Sequence, residues 1–162
     1  MANRISYPFE PKSTAYLQPG QFWGFQRSDQ AWACGRVIAL QFDASGKRDS
    51  RCFLFALLDW LGDQPPTEAS IAGATSVCQR DAHIKTIREN GRLILGCRDL
   101  SLDNIEPQLC LSQSGGRGCM LMRGYDVVRS ATAKEIESLS VLPTAGYNAI
   151  RLLADKLTSP VA

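Results

Sequence analysis

The sequence predicts an α+β fold, in which a curved and mostly antiparallel sheet of about six strands forms a partly open small barrel. Aromatic and β-branched residues are concentrated in short runs that polar turns separate, which is typical of strands. One helical pattern interrupts these runs and two more follow near the C-terminus. This order predicts one inserted helix and two C-terminal helices. We expect residues 1–15 to be an extended lead-in and residues 16–162 to form a single domain.

The first two strands are predicted from an aromatic hairpin. Pro19-Gly20 marks a turn, after which "QFWGFQ" at residues 21–26 indicates a short strand. The polar residues 28–30 turn the chain, and residues 31–42 return it as a second strand. Residues 43–50, "DASGKRDS", then predict a polar loop between this strand and the next one.

A third strand and the inserted helix follow from the next pattern. Residues 51–60 form a nearly continuous apolar run of a length that suits a buried strand, although periodicity alone also allows a helix. Pro65-Pro66 predicts a loop, because neither a helix nor a central strand accommodates this pair. Residues 76–90 carry Val77, Ile84 and Ile87 at helical spacing, so they predict a helix that Gly91 ends.

Three further strands are predicted after that helix. They cover residues 92–97, residues 107–112 and residues 118–129, and "QSGGRG" forms a turn between the last two.

The C-terminal segment predicts two helices. In the first, Thr132 is a candidate N-cap and Glu135 has the spacing of a capping box, while Pro143 ends the segment. The second covers residues 145–157, in which the following residues share one face: Tyr147, Ile150, Leu153, Ala154 and Leu157.

Composition limits the class of partner. Hydrophobic residues make up 44% of the chain and charged residues 21%, which is typical of a globular protein. The net charge of +2 is too small to favour a nucleic-acid partner, which requires a concentrated basic patch. No apolar run approaches the ~20 residues that span a membrane, and the first residues lack the apolar segment of a signal peptide. We therefore expect a cytoplasmic protein without a membrane partner.

Cysteine and histidine usage predicts neither disulfides nor a metal site. The six cysteines are widely spaced and most lie in apolar runs, which favours free thiols over disulfide pairs. His83 is the single histidine, so the chain offers no paired ligand spacing for a metal. No nucleotide-binding fingerprint or nucleophile–base pair stands out, and we expect no cofactor.

Arg36 raises the question of whether it belongs to the architecture or to a site. Alternation in the second strand places it on a bulky face with Trp32, Cys34, Ile38 and Leu40, while Gly35 lies on the opposite face of small residues. A buried guanidinium needs a carboxylate or several carbonyl groups, and Asp43 and Asp59 are the candidate partners. We favour a structural ion pair. The alternative is an arginine at the mouth of a pocket that binds an anionic group.

The aromatic residues permit a similar pair of interpretations. Core packing is favoured for them. However, the adjacent Phe22 and Trp23 point to opposite faces of a strand, so one of them is exposed unless both faces are covered. An exposed tryptophan would be a contact anchor for a partner. If a site exists, we expect Trp23, Arg36, Asp59 and Trp60 to form it, with Arg36 as a clamp for an anion or carboxylate.

The opening hairpin resembles a known family. The stretch "LQPGQFWGFQRSDQAWACGRVIAL" is similar to the N-terminal signature of the immunity protein 26 family of bacterial polymorphic toxin systems. The shared elements are Pro19-Gly20, the aromatic strand, the polar turn and Gly35-Arg36-Val37. Later segments are similar in layout, so the resemblance extends over roughly residues 16–157. It implies a cytoplasmic protein that binds a cognate toxin domain and blocks it, without catalysis of its own.

Two other hypotheses remain open at this point. The hairpin also occurs in SH3-like barrels that bind nucleic acid or a transcription partner, and Arg27, Lys47, Arg48 and Arg51 would line one end of such a barrel. The weak net charge disfavours this alternative. A small enzyme that uses Arg36 and Asp59 in a pocket is the third hypothesis.

Overall fold

The α+β class is confirmed by the computed structural model, which describes residues 4–112 and 118–158. The described residues form a six-stranded sheet, a three-stranded sheet and three short α-helices, without a closed barrel. The strands are β1 (Gln21–Gln26), β2 (Trp32–Phe42), β3 (Arg48–Gly62), β4 (Ser76–His83), β5 (Ile94–Cys97), β6 (Leu109–Leu111), β7 (Met120–Arg123), β8 (Asp126–Ser130) and β9 (Thr144–Ala145). The helices are α1 (Lys85–Arg88), α2 (Ala133–Ser138) and α3 (Ala149–Asp155).

The large sheet has the strand order β5-β1-β2-β3-β4-β9. All neighbouring pairs are antiparallel except β4 and the short β9, which run parallel. The predicted opening hairpin is confirmed, with Phe22 opposite Arg36 and Gln26 opposite Trp32. Short polar turns join β1 to β2 and β2 to β3, as antiparallel pairing of consecutive strands allows, whereas the longer segment 63–75 joins β3 to β4.

Both faces of the large sheet are covered. On one face, α1 and α3 pack on a cluster that includes Trp23, Phe53 and Phe55. On the other face, Ile71 and Ile105 from two long loops pack on a cluster that includes Phe22. The neighbours Phe22 and Trp23 are therefore both buried, because each face of their strand lies against an apolar layer.

The side-chain alternation predicted for β2 holds only as far as Ile38. Cys34 and Ile38 lie in one cluster, while Ala33 and Val37 lie in the other. The pairing with β3 shifts by one residue between Val37 and Ala39. A bulge of this kind reverses the faces of the residues that follow it, so Leu40 packs with Val37 instead of Ile38.

The helix predicted over residues 76–90 is wrong for most of its length. Residues Ser76–His83 form β4, and only Lys85–Arg88 are α-helical. The long strand β3 offers a row of backbone groups along its edge, and β4 pairs with seven of its residues. This tertiary pairing overrides the weak helical spacing of Val77, Ile84 and Ile87. Ile84, just before α1, and Ile87, within it, are buried.

Gly91 ends this segment as predicted. Its φ angle is +86°, and a Cβ atom there would lie 1.8 Å from the carbonyl oxygen of Gly24. Only glycine satisfies both the backbone conformation and the close approach to β1.

The small sheet has the order β6-β7-β8 and contains the last two predicted strands. The second of these, predicted as one strand over residues 118–129, is instead the hairpin β7–β8 around Gly124 and Tyr125. Gly124 has a φ of +59°, a conformation that turns the chain. Most of the predicted "QSGGRG" turn lies outside the described residues.

The C-terminal helices were predicted in type and are shorter than expected. Thr132 and Glu135 form the predicted capping box of α2. In α3, Ile150 and Ala154 are buried against the large sheet. Arg27 fixes the end of this helix, because its Nη1 donates to the carbonyl oxygens of Ala154 at 3.0 Å and Leu157 at 2.6 Å.

All six cysteines are free thiols in this fold. Burial raises the pKa of the Cys34 thiol, which lies fully inside the sheet, and so favours its neutral form. Across residues 4–112 and 118–158, no helix combines the length and apolar character that crossing a membrane requires.

Candidate functional site

Arg36 belongs to a network of three charged side chains, which we call the ion triad: the buried Arg36 and Asp103 and the partly exposed Arg98. Arg36 Nη1 donates to Asp103 Oδ2 at 2.8 Å, and both side chains are 0% exposed. Arg98 Nε donates to the same oxygen at 2.9 Å, and its Nη2 donates to Asp103 Oδ1 at 3.1 Å. The predicted ion pair therefore exists, but the predicted partners Asp43 and Asp59 are wrong.

The rejected partners have other roles. Asp43 Oδ1 accepts from the backbone of Ser45 and Lys47 within the β2–β3 turn, so its carboxylate is occupied. Asp59 is exposed, and its backbone N–H donates to the carbonyl oxygen of Thr75 at 2.8 Å. Neither side chain is available to the buried guanidinium of Arg36.

Gly35 serves the packing of the opposite face. A Cβ atom at this position would lie 2.4 Å from Cζ2 of Trp23, so the indole ring occupies the space that a side chain would need. The Gly35-Arg36 pair thus supports both faces of the sheet. Gly35 leaves room for the Trp23 ring on one face of the sheet, and Arg36 forms the ion triad on the other face.

The Asp103 carboxylate is held in its charged form. Burial raises its pKa, but hydrogen bonds from Arg98, the Gly73 amide and Arg36 outweigh that effect and lower the pKa to about 2. Each of these donors favours the carboxylate over the neutral acid.

The ion triad connects two segments outside the sheets, one of which contains a short 3-10 helix at Leu100–Asp103. Arg36 Nη2 donates to the carbonyl oxygens of Arg98 and Gly20, and the Gly73 N–H donates to Asp103 Oδ1 at 2.8 Å. The ion triad therefore holds two segments, residues 63–75 and residues 98–106, against β2 at one point. Since the bonds involve backbone groups, they fix the path of each loop.

A groove of about 440 Å³ lies between these two loops and the start of β4. We call it the loop groove, and its lining comprises Gly73, Thr75, Ser76, Gln79, Leu102, Asp103, Asn104, Ile105 and Glu106. Gln79 bridges the groove wall, because its Nε2 donates to the Glu106 carbonyl at 2.6 Å and its Oε1 accepts from Gln108 N at 2.9 Å.

Apolar and acidic groups both reach the surface around the loop groove. Leu102, which lines the groove, is 61% exposed, and the β4 residue Val77 is 49% exposed. Residues 63–79 and 98–106 contain five carboxylates and a single cation, Arg98, which the ion triad uses. Glu68 and Asp99 are exposed, and Glu106 contacts Arg123 at 3.3 Å. The surface around the loop groove therefore combines exposed apolar side chains with acidic ones.

The four residues predicted as a site lie in different surroundings. Trp23 is 0% exposed and packs edge-on against Phe53 and Phe55, so it belongs to the core. Arg36 is buried within the ion triad. Trp60 is half-buried, and its Nε1 donates to the carbonyl oxygen of Ser70 at 2.9 Å. Trp60 and Asp59 thus brace the loop beside the groove through hydrogen bonds.

The residues of the other two hypotheses are dispersed. Arg27 bonds to Asp29 in the turn between β1 and β2, whereas Lys47, Arg48 and Arg51 lie at the opposite end of the sheet, around the β2–β3 hairpin. The four cations therefore do not line one end of the fold. Arg36 and Asp59 also fail to meet, so they form no shared pocket.

Sequence reasoning missed Asp103, Leu102 and the loop groove itself. Asp103 is sixty-seven positions from Arg36, and no local pattern links two residues that far apart. A weak signal was present, because residues 98–106 combine acidic side chains with isolated leucines outside any periodic element. Such a segment indicates an ordered loop that packs on the domain.

No site for a metal was found in the part of the chain that the structure describes, where groups of three His, Cys, Asp or Glu side chains do not converge. Comparison of the chain with models of known families, with curated proteins and with solved structures produced no match.

Proposed function

We propose that this chain is a bacterial immunity protein that binds a cognate polymorphic toxin domain in the cytoplasm and neutralises it without catalysis. The toxin would dock on the loop groove. The observation that supports this proposal best is the exposed Leu102, which lies in a groove whose loops are held by the ion triad and carry exposed carboxylates.

An inhibitory complex needs a preformed surface. Ordering a loop during binding consumes free energy that would otherwise contribute to affinity. The loops around the groove are already held by Arg36 and Asp103 and by the Gln79 bridge. A large apolar side chain on such a surface is the kind of residue that becomes a binding hot spot when a partner excludes water from it.

Charge indicates the chemistry of the toxin surface. The two loops carry Asp63, Glu68, Asp99 and Glu106 outside the ion triad, and Glu106 forms an exposed ion pair with Arg123. A partner with lysine and arginine around an apolar pocket would complement this surface. Such complementarity accelerates encounter and selects the partner.

A growth assay tests the function directly. The toxin domain encoded beside the gene of this chain would be expressed in cells with and without the chain. We expect the chain to restore growth at stoichiometric expression, and purified toxin domain to bind it in titration calorimetry. Growth arrest that persists with the folded chain in excess would reject the proposal.

Matched leucine variants test the docking surface. Leu102→Ala removes an apolar side chain from the groove, and Leu152→Ala removes an equally exposed one from α3. We expect the first variant to weaken toxin binding about tenfold, which corresponds to ~1.4 kcal/mol, and the second to leave it unchanged. Equal affinities of the two variants would move the docking site away from the groove.

Charge reversal gives a second comparison. Glu68→Lys alters the groove loop, whereas Glu137→Lys makes the same change in charge on the exposed α2. We expect the Glu68 variant to slow association and to reduce its dependence on salt, because it removes attraction for a cationic partner. An equal effect of both variants would indicate that only net charge matters.

A further inference from the structure

A cleft of about 320 Å³ is lined by residues of both sheets. We call it the Tyr125 cleft, after the residue between β7 and β8 that lines it. The large sheet contributes Asp81 of β4, and the rest of the lining comes mainly from the small sheet and from residues 141–144. The Tyr125 cleft shares no lining residue with the loop groove. Its large apolar lining residues are Leu111, Met122, Val141 and Leu142.

Asp81 is the single charged residue among the described residues that line the Tyr125 cleft. Its Oδ1 accepts a hydrogen bond from the Tyr125 hydroxyl. Within residues 4–112 and 118–158, its Oδ2 has neither a hydrogen bond nor an ion pair, and it is not sealed from water. The neighbouring Arg80 does not neutralise it, because Arg80 shares the opposite face of β4 with Cys78 and Ala82. The cleft therefore holds a negative charge with one oxygen available to a donor.

The surrounding structure fixes the orientation of the Asp81 carboxylate. Asp81 lies on a strand that is paired on both sides, opposite Leu54 of β3 and beside Thr144 of β9. Its backbone N–H donates to the carbonyl oxygen of Pro143 at 2.9 Å. Burial and the contact with Asp81 raise the pKa of the Tyr125 hydroxyl, which therefore stays protonated and donates to the carboxylate. A group that is held in place before binding costs little ordering free energy when a ligand arrives.

We propose that the Tyr125 cleft binds a small organic amine, whose ammonium group pairs with Asp81 and whose apolar body contacts the apolar lining. An ammonium group is a compact charge that needs one oxygen, whereas a guanidinium pairs best with both oxygens of a carboxylate. Because Oδ1 already accepts from Tyr125, the single free oxygen favours the ammonium. The volume is at the small end of the range for ligand pockets, so the ligand is small.

The donor set of the Tyr125 cleft does not suit a metal ion. Calcium and magnesium need about six or more oxygen ligands, and Asp81 is the single carboxylate among the described lining residues. The Cys110 thiol donates to the carbonyl oxygen of Gly124 at 3.6 Å, and burial raises its pKa. A neutral thiol is a poor metal ligand, so an organic cation is the better occupant.

Titration of the parent chain with three related probes tests the charge preference. The probes are benzylammonium, the neutral benzyl alcohol and the anionic benzoate, and two-dimensional NMR of the backbone amides is the measurement. We expect benzylammonium to saturate with a dissociation constant on the order of 1 mM, since a fragment of this size binds weakly. The amides of Asp81, Tyr125 and Leu142 should shift most. The other two probes should bind at least about tenfold more weakly.

Matched carboxylate variants locate the site. Asp81→Asn keeps the shape of the side chain and an oxygen that accepts from Tyr125, but it removes the charge. Asp126→Asn makes the same change in charge on the exposed β8, outside the lining of the cleft. We expect the first variant to raise the dissociation constant for benzylammonium about tenfold and the second to leave it unchanged. Circular dichroism shows whether each variant is folded, and the three-probe titration of the parent chain decides alone if Asp81→Asn is not.

Several results would overturn the proposal. Benzylammonium that fails to saturate up to about 10 mM, or that binds no better than benzyl alcohol, would show that the carboxylate attracts no amine. Shifts outside the Tyr125 cleft, or equal affinity of folded Asp81→Asn, would place the amine elsewhere. None of these results bears on toxin binding, because the loop groove has a different lining.

Discussion

Replacing Asp103 by asparagine should destabilise the fold strongly, because it leaves the buried Arg36 without a counter-charge. The carboxylate accepts four hydrogen bonds, two from Arg98, one from Arg36 and one from the Gly73 amide. In Asp103→Asn the shape is kept, but the charge is lost and one oxygen becomes an amide donor that faces other donors. Removing one partner of a buried ion pair costs about 3–5 kcal/mol.

Urea unfolding followed by tryptophan fluorescence measures this loss. For a chain of this length, a loss of about 4 kcal/mol corresponds to a melting temperature lower by about 10 °C. The control is Glu106→Gln, because the Glu106–Arg123 pair is exposed on both sides. An exposed pair contributes about 0–1 kcal/mol, so the control should lie close to the parent chain.

Hydrogen exchange gives a local readout of the same variant. The Gly73 amide donates to the Asp103 carboxylate, so its exchange should accelerate more than that of amides in β2 or β3. A free energy of unfolding within about 1 kcal/mol of the parent value, with unchanged exchange at Gly73, would refute the assigned role of the carboxylate.

Three further predictions concern packing, pH and capping. Gly35→Ala should lower the free energy of unfolding by about 1–3 kcal/mol, because the new Cβ overlaps the Trp23 ring. Gly146→Ala is the control, because no atom lies within 4 Å of a Cβ built there, and it should have no such cost. Thermal melts compare the two variants. The pKa of Asp103 in the folded state is below its unfolded value of about 3.9, so the charged carboxylate stabilises the fold above that pH. Urea titrations should show that the free energy of unfolding falls by about 2 kcal/mol between pH 4 and pH 2. The variant Asp103→Asn should not show this loss. Thr132→Ala should cost about 1 kcal/mol and increase hydrogen exchange in α2, because the cap is lost; unchanged exchange there would contradict the role of the cap.

The sheet could be predicted because its signals are local. Aromatic and β-branched runs between turn residues located β1, β2 and β3, and the Thr132–Glu135 spacing located the cap of α2. Each of these features depends on residues within a few positions of one another. Sequence pattern carries this kind of information directly.

The failure at β4 shows where local information ends. Residues 76–90 contain three apolar residues at helical spacing, but β3 extends for fifteen residues and leaves an edge that β4 satisfies. The choice between strand and helix therefore depends on partner residues that lie between 18 positions away, for Leu58 and Ser76, and 31 positions away, for Cys52 and His83. The same limit hid Asp103, whose link to Arg36 exists only after the two loops fold over the sheet.

The ion triad has a consequence for binding that an apolar core would lack. Hydrophobic side chains of similar volume at all three positions could keep or even raise the stability of the fold, because desolvation of buried charges offsets much of their attraction. Such side chains would form no bonds to the carbonyl groups of Gly20 and Arg98 or to the Gly73 amide. The loops would then lose the contacts that hold their paths, although the sheet beneath them would stay packed. The stability of the fold and the shape of the loop groove therefore depend on different properties of the ion triad. Its polar character is best explained by the need to hold the loop groove in one conformation.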